Sequence, residues 1–234
     1  MNIVVVKNQE EAAEKALELV KAGLEKGSIK TLGLATGSTP LKLYEKMRGA
    51  NLDCSDVATV NLDEYVGLAP NDPQSYNHYM KTELFDHVKF KETHLPNGVA
   101  ENLQEECERY EAVLSENPVD LQVLGIGTNA HIGFNEPGTS FDTKTHVVEL
   151  TESTIESNKV HFEKVEDVPT HAISMGIASI MEAKEIVLLA FGEAKAEAVK
   201  QMVNGPVNEG CPASVLQNHA NVTIIIDEAA ASKL

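Results

Sequence analysis

The residues best equipped for chemistry are Asn129, His131 and Glu136, spaced through the loop that follows the apolar run Leu121 to Leu124. A histidine titrates near neutrality, and a carboxylate close by holds its tautomer and favours its protonated form. A loop with that content is built to move a proton. Its first residues, Gly125 and Gly127, let the backbone turn as it leaves the strand. Gly125, Gly127 and Ala130 also meet the spacing of a dinucleotide fingerprint, with Glu149 at about the right distance. That motif opens a helix at once, however, and here Gly133 and Pro137 interrupt the next ten residues. A histidine serving only to satisfy a Gly-rich turn is the simpler alternative. The neighbouring Asn and Glu, and the two further sites below, argue for function.

Two other strand ends carry chemistry. Thr36-Gly-Ser-Thr-Pro40 lies between the apolar run Lys30 to Ala35 and a helix predicted over Leu41 to Met47. Gly37 lets the chain bend, Ser38 or Thr39 is placed to cap the helix, and Pro40 suits the first helical position. Free N–H groups at a helix N-terminus suit a phosphate. Such a capped helix start is common, so this motif gains weight only beside the others. Asp63 ends the run Val57 to Leu62. Most acidic residues at strand ends are loop or capping groups. Three such ends together, however, converge on the crevice where open α/β sheets bind ligands.

Composition narrows the rest. The 234 residues suffice for one large domain or two small ones, and 42% hydrophobic with 24% charged residues is ordinary for a globular protein. A net charge of −17 argues against nucleic acid and anionic membranes as partners. It also makes each of the 19 Lys and Arg residues informative where an anionic substrate is expected. The three cysteines, Cys54, Cys107 and Cys211, fit no metal or redox spacing and read as reduced thiols in a cytoplasm. The eight histidines form no ligand pair, so no metal is expected. The N-terminus lacks the pattern of a signal peptide, and no apolar run approaches membrane-spanning length.

The elements that must position these residues alternate. Strands are predicted at Asn2 to Val6, Lys30 to Ala35, Val57 to Leu62, Leu121 to Leu124, Thr145 to Leu150, Glu185 to Phe191 and Val222 to Ile226. Helices are predicted at Glu10 to Lys26, Leu41 to Met47, Tyr76 to Phe85, Leu103 to Ser115 and from Lys195 to near Val203, with a short one at Pro212 to Leu216. Thr151 to Val168 is polar with no clear core face and reads as a helix lying over the site. With no repeat and no long linker, the expectation is a single α/β domain over 1–234, its sheet mostly parallel with helices on both faces.

Thr36-Gly-Ser-Thr-Pro40, Asn61-Leu-Asp-Glu-Tyr-Val-Gly67 and Gly127-x-x-x-His-Ile-Gly-Phe-Asn-Glu-Pro137 together resemble the glucosamine-6-phosphate deaminase family, over nearly the whole chain. The resemblance implies a Rossmann-like fold and conversion of glucosamine 6-phosphate and water to fructose 6-phosphate and ammonia. It implies that Asp63 takes the C2 proton and that His131 opens the sugar ring. Glu136 would orient that histidine. Gly37, Ser38 and Thr39 would form the phosphate loop with Lys195, and Lys159 would reach the phosphate from a lid over 151–168. Asn129 stands where better-known members have Asp; the site keeps a hydrogen-bond partner and loses a charge. No cofactor is needed, since no hydride or redox step occurs.

The related 6-phosphogluconolactonases usually have Arg after Asp-Glu, where this chain has Tyr65, and a different tail after the histidine. A sugar-phosphate sensor without catalysis would usually be fused to a DNA-binding segment, for which the chain has no spare length. Regulated members bind an acetylated sugar phosphate through basic residues just past Asn-Glu-Pro. Here those positions are His146, Val148 and Glu149, and the chain stops soon after its last strand. The expectation is a cytoplasmic, monomeric, non-allosteric enzyme acting on a small sugar phosphate.

Overall fold

A computed structural model describes residues 1–159, 162, 164 and 167–234. Seven strands form one wholly parallel sheet: β1 (Asn2–Val6), β2 (Thr31–Leu34), β3 (Cys54–Asn61), β5 (Phe90–His94), β6 (Leu121–Leu124), β9 (Glu185–Ala190) and β10 (Val222–Asp227). Their order across the sheet is β1-β10-β9-β6-β2-β3-β5. From β2 the chain steps outward through β3 to β5. It then returns to place β6 on the other side of β2 and continues outward through β9 and β10. The direction reverses between β2 and β6, so the loops leaving these two strands diverge and open a crevice.

The central strands are apolar on both sides because both faces are covered. Along β9, Ile186, Leu188 and Ala190 enter one core while Val187 and Leu189 enter the other; along β10, Ile224 and Ile226 oppose Ile225 in the same way. One face packs against α1 (Gln9–Glu25), α2 (Leu41–Gly49) and α3 (Tyr76–Met80), through residues such as Ala16, Val20, Leu43, Tyr44 and Met80. The other packs against α4 (Leu103–Glu116), α6 (Ile177–Met181) and α7 (Ala196–Asn204), through Tyr110, Leu114, Ile180, Val199 and Met202. Burying one such aliphatic side chain stabilises the fold by roughly 1.5–3 kcal/mol before entropy is counted.

Three features differ from the sequence reading. β5 was not foreseen. It is an edge strand whose middle residues Lys91, Glu92 and Thr93 are exposed, so it shows no apolar run. The helix predicted over Tyr76 to Phe85 is α3 followed by a π-helical turn, Lys81–Phe85. A second, antiparallel sheet joins β4 (Asp63–Tyr65), β8 (His171–Ser174) and β7 (His146–Glu149) in the order β4-β8-β7. It rests on its own small core of Tyr65, Phe134, Leu150 and Ala172. Of the segment expected to lie over the site, Glu152–Asn158 is helix α5. Positions 160, 161, 163, 165 and 166 of the expected lid lie outside the described residues.

Candidate active site

In a parallel sheet every strand ends at the same edge. Four neighbouring strands, β9, β6, β2 and β3, therefore deliver their following loops to one place. There the loops enclose a cavity of about 620 Å³, lined among others by Gly37, Ser38, Thr39, Asp63, Tyr76, Asn129, His131, Thr154 and Lys195. That size suits a small-molecule ligand. All the residues singled out from the sequence line this cavity except Glu136, which stands behind Asn129 and His131, and Lys159.

After β2, Gly37 adopts φ +86°, a left-handed conformation that glycine takes without steric cost. Tyr79 donates a hydrogen bond to its carbonyl at 2.6 Å, fixing the loop. The expected side-chain cap is absent. Pro40 itself is the cap residue of α2, and neither Ser38 nor Thr39 bonds back to the helix. Proline here leaves the loop to end before the helix begins, so the first-turn N–H groups of α2 have no side-chain partner and remain available to an anion.

After β3 the chain crosses into the small sheet. Asp63 pairs with Ser174 across β4 and β8, and Leu62 accepts from the Met175 amide at 2.7 Å, so its backbone is held on both sides. Burial, and then the neighbouring Glu64 charge, push the Asp63 carboxyl up to about 8. Glu64 points the other way and accepts three backbone amides, from Tyr65, Tyr76 and Asn77, each at 2.9 Å. Burial raises it to about 7 even so. Glu64 thereby anchors the start of α3 and with it Tyr76, whose ring stacks 6.3 Å from that of Phe134 and forms an aromatic wall of the cavity.

After β6 comes the loop that carries Asn129, His131 and Glu136. Ala130 holds a left-handed φ of 66°, which is unfavourable for a residue with a side chain. The turn places His131 against Gly127, and a Cβ on Gly127 would stand 2.3 Å from the imidazole. Glycine is required there by space. His131 Nδ1 lies 2.7 Å from Asn129 Oδ1 but 3.6 Å from Glu136 Oε1. The histidine's direct partner is therefore Asn129. Glu136, expected to orient the ring itself, acts through the amide, which donates to Glu136 Oε2 at 2.6 Å. Burial drives the Glu136 carboxyl upward, but His131 beside it, with the Asn129 and Thr154 hydrogen bonds, outweighs burial and holds it at about 2. An ionised carboxylate only accepts, so Asn129 must turn its NH2 toward Glu136 and its oxygen toward the ring. Nδ1 then carries the proton and Nε2 is left as a base.

The loop is braced from below. Asn135 is fully buried and donates to the carbonyls of Ile132 and Met175, each at 2.9 Å. Its own oxygen accepts from His146 Nε2 at 2.9 Å, and burial holds His146 below the ordinary histidine range. His146 thus braces the β6 loop through Asn135, and its burial disfavours the positive charge that a surface anion site would need.

After β9, Gly192 at φ +86° begins the turn that carries Lys195. The Gly192 amide donates to the Asp227 carboxylate at the end of β10. Lys195 reaches over the cavity floor and donates to the Ile126 carbonyl at 2.6 Å; burial lowers its affinity for its proton. Among the described residues lining the cavity it is the single Lys or Arg. Lys159 caps α5 at its C-terminal end, exposed and paired with Glu156, and does not reach the cavity. No cluster of His, Cys, Asp or Glu able to hold a metal occurs among the described residues.

The family model for glucosamine-6-phosphate isomerases/6-phosphogluconolactonase matches residues 7–225. The chain belongs to that family. Within it, the chain is 59% identical to a glucosamine-6-phosphate deaminase of Listeria monocytogenes and 58% identical to one of Enterococcus faecalis, each over 234 residues and the full length of both proteins. A solved structure of a monomeric glucosamine-6-phosphate deaminase superposes with a TM-score of 0.95 at 42% identity, covering all of both chains. The 6-phosphogluconolactonase of Trypanosoma cruzi superposes with a TM-score of 0.82 at 17% identity, covering all of this chain and 96% of that one, and shares the fold.

Family membership places the Rossmann-like architecture on firm ground, and the three motifs that suggested it fall on three of the four converging loops, those after β2, β3 and β6. The sequence reading missed Tyr76 and Thr154, both of which line the cavity. Tyr76 begins a short helix whose periodicity reads as core. Thr154 sits in a polar segment with no pattern. The one available signal was the Thr151-x-x-Thr154 spacing of a helix cap, realised as a Thr154 amide bond to the Thr151 hydroxyl at 3.3 Å.

Proposed function

We propose that this protein converts glucosamine 6-phosphate and water to fructose 6-phosphate and ammonia. The observation that carries the reading is the meeting, in one cavity, of a buried carboxylate and a histidine of fixed tautomer with an uncapped helix start and a lysine. The phosphate sits on the α2 N-terminus and the Gly37–Thr39 loop, with Lys195 supplying positive charge in a chain of net charge −17. It thereby orients carbons that do not touch it. His131 takes the C1 hydroxyl proton on Nε2 and delivers it to the ring oxygen, opening the sugar. Asp63 then removes the C2 proton while the electron pair moves onto the C1 carbonyl oxygen, which takes a proton from water to give an enolamine. Asp63 returns its proton at C1 to yield the C2 iminium; the hydroxide left by that water adds to C2, and the carbinolamine expels ammonia to leave the C2 ketone. Each step is proton transfer, addition or elimination, which these groups supply without redox chemistry. Lys159 has no place in this reading while it remains paired with Glu156.

The relatives' names and their full-length identity support this substrate, and the monomeric neighbour supports a single-chain enzyme. The strongly negative net charge and the lack, among the described residues, of a helix able to cross a membrane are in keeping with a cytoplasmic enzyme without nucleic-acid or membrane partners. The purified protein offered glucosamine 6-phosphate, free glucosamine and 6-phosphogluconolactone should release ammonia from the first alone. Lactone hydrolysis without ammonia release would sink the proposal.

A further inference from the structure

The tautomer of His131 depends on which way the Asn129 amide faces, and that depends on Glu136 remaining a fixed acceptor. Glu136 in turn is held from above. Thr154, on α5, donates its hydroxyl to Glu136 Oε1 at 2.9 Å. That hydroxyl has only one proton to give, and since an ionised carboxylate only accepts, it goes to Glu136. The Thr151 hydroxyl donates to Thr154 Oγ1 at 3.0 Å, occupying an acceptor site on the same oxygen. Thr154 is 9% exposed and lines the cavity. The hydrogen bonds run in one direction, from Thr151 through Thr154 to Glu136. From the other side Asn129 donates to the same carboxylate while accepting from His131.

We infer that Thr154 is a positioning residue for the proton-transfer histidine, fixing the Glu136 carboxylate so that the Asn129 amide keeps one orientation and His131 one tautomer. The inference rests on the reading of His131 as the ring-opening group, but its structural half does not. Thr154 touches none of the reacting atoms. It links α5, the element that lies over the cavity, to the loop that does the chemistry. Without its hydroxyl, Oε1 loses a donor, the carboxylate is free to rotate, and the amide can reverse. A reversed amide turns its NH2 to the ring, which then protonates Nε2 and loses its base.

The test is Thr154→Val, which keeps the shape and removes the hydroxyl, alongside Thr154→Ser, which keeps the hydroxyl. Two readouts are taken on the full chain. One is the nitrogen-15 NMR signature of the His131 ring without substrate, assigned with His131→Gln. The other is steady-state ammonia release. Wild type should show the Nδ1–H tautomer. Thr154→Val should show a mixture with Nε2–H and a kcat lowered roughly tenfold, with KM within about twofold, as expected for an orienting hydrogen bond. Thr154→Ser should recover most of both. Unchanged tautomer and kcat in a folded Thr154→Val would overturn the inference, as would an equal loss in Thr154→Ser. If Thr154→Val does not fold, Thr154→Ala replaces it, with the same two outcomes. Absent ammonia release by wild type with the expected tautomer behaviour intact would reject the substrate reading and leave the positioning role standing.

Discussion

A carboxyl held at about 8 is largely protonated in an empty site at neutral pH, so Asp63, as the proposed base, must ionise before it acts. The free enzyme's ionisations govern kcat/KM. It should therefore rise with pH through about 8, a limb checked by initial rates from pH 6 to pH 9. The same shift acts on stability with the opposite sign. The unfolded chain gives up this proton near the ordinary value of 3.8, while the native state keeps it to about 8. Between those values the unfolded state binds fewer protons, so stability declines as pH rises and levels off above about 8. Glu64 adds a decline of the same sign, ending near 7. Asp63→Asn removes the first contribution. Its Tm should match wild type near pH 4 and exceed it increasingly toward pH 8, as read by thermal melts. Parallel curves would show that Asp63 is not the strained group. Lys195→Ala removes the cavity's cation and should raise KM for glucosamine 6-phosphate roughly 10- to 100-fold, the scale of a lost charge-assisted hydrogen bond. Discrimination against free glucosamine should shrink in step.

At the scale of the elements, the β6 loop works because its glycines leave room for side chains. Gly127→Ala would force the His131 ring off Asn129, and kcat should fall on the order of 100-fold while the fold survives, since the loop sits at the rim of the sheet. A variant with normal kcat in the pH–rate assay would show that the ring tolerates displacement. This requirement was half legible in the sequence. Gly125 and Gly127 announced a turn, but only the structure shows that Gly127 is packed under an imidazole. The central sheet strands were readable because burial on both faces makes them mostly apolar runs, as in Ile186–Ala190 and Ile224–Ile226. β4 was not. Three residues, Asp-Glu-Tyr, carry no periodicity, and what makes them a strand is Ala172–Ser174, more than a hundred positions away. Capping by Ser38 or Thr39 was a sound expectation from residue type that Pro40 displaced. The partners of Glu136 and Lys159 likewise depended on tertiary distance, which residue types do not fix.

Across the whole molecule, parallel topology does the assembling. Four loops far apart in sequence meet because β9, β6, β2 and β3 are adjacent and end at one edge. The position where the resemblance would place a basic residue of a regulated enzyme is His146, half-buried against Asn135 with its charged form disfavoured by burial, and the acidic Glu149 lies further along β7. A surface of that kind gives an acetylated sugar phosphate no differential hold on two states. Substrate dependence should therefore be hyperbolic and unchanged in shape by N-acetylglucosamine 6-phosphate, with light scattering giving the 25.4 kDa mass of one chain. Sigmoidal kinetics relieved by that compound would contradict this. The most direct test of the account is ammonia release from glucosamine 6-phosphate by wild type and Asp63→Asn, paired with calorimetric binding of the same sugar phosphate. Wild type should form ammonia and fructose 6-phosphate in equal amounts. Asp63→Asn should bind within a few fold of wild type yet turn over on the order of 1,000-fold more slowly, the range for loss of a general base. Turnover by Asp63→Asn within tenfold of wild type, or no ammonia from wild type at any pH, would contradict it.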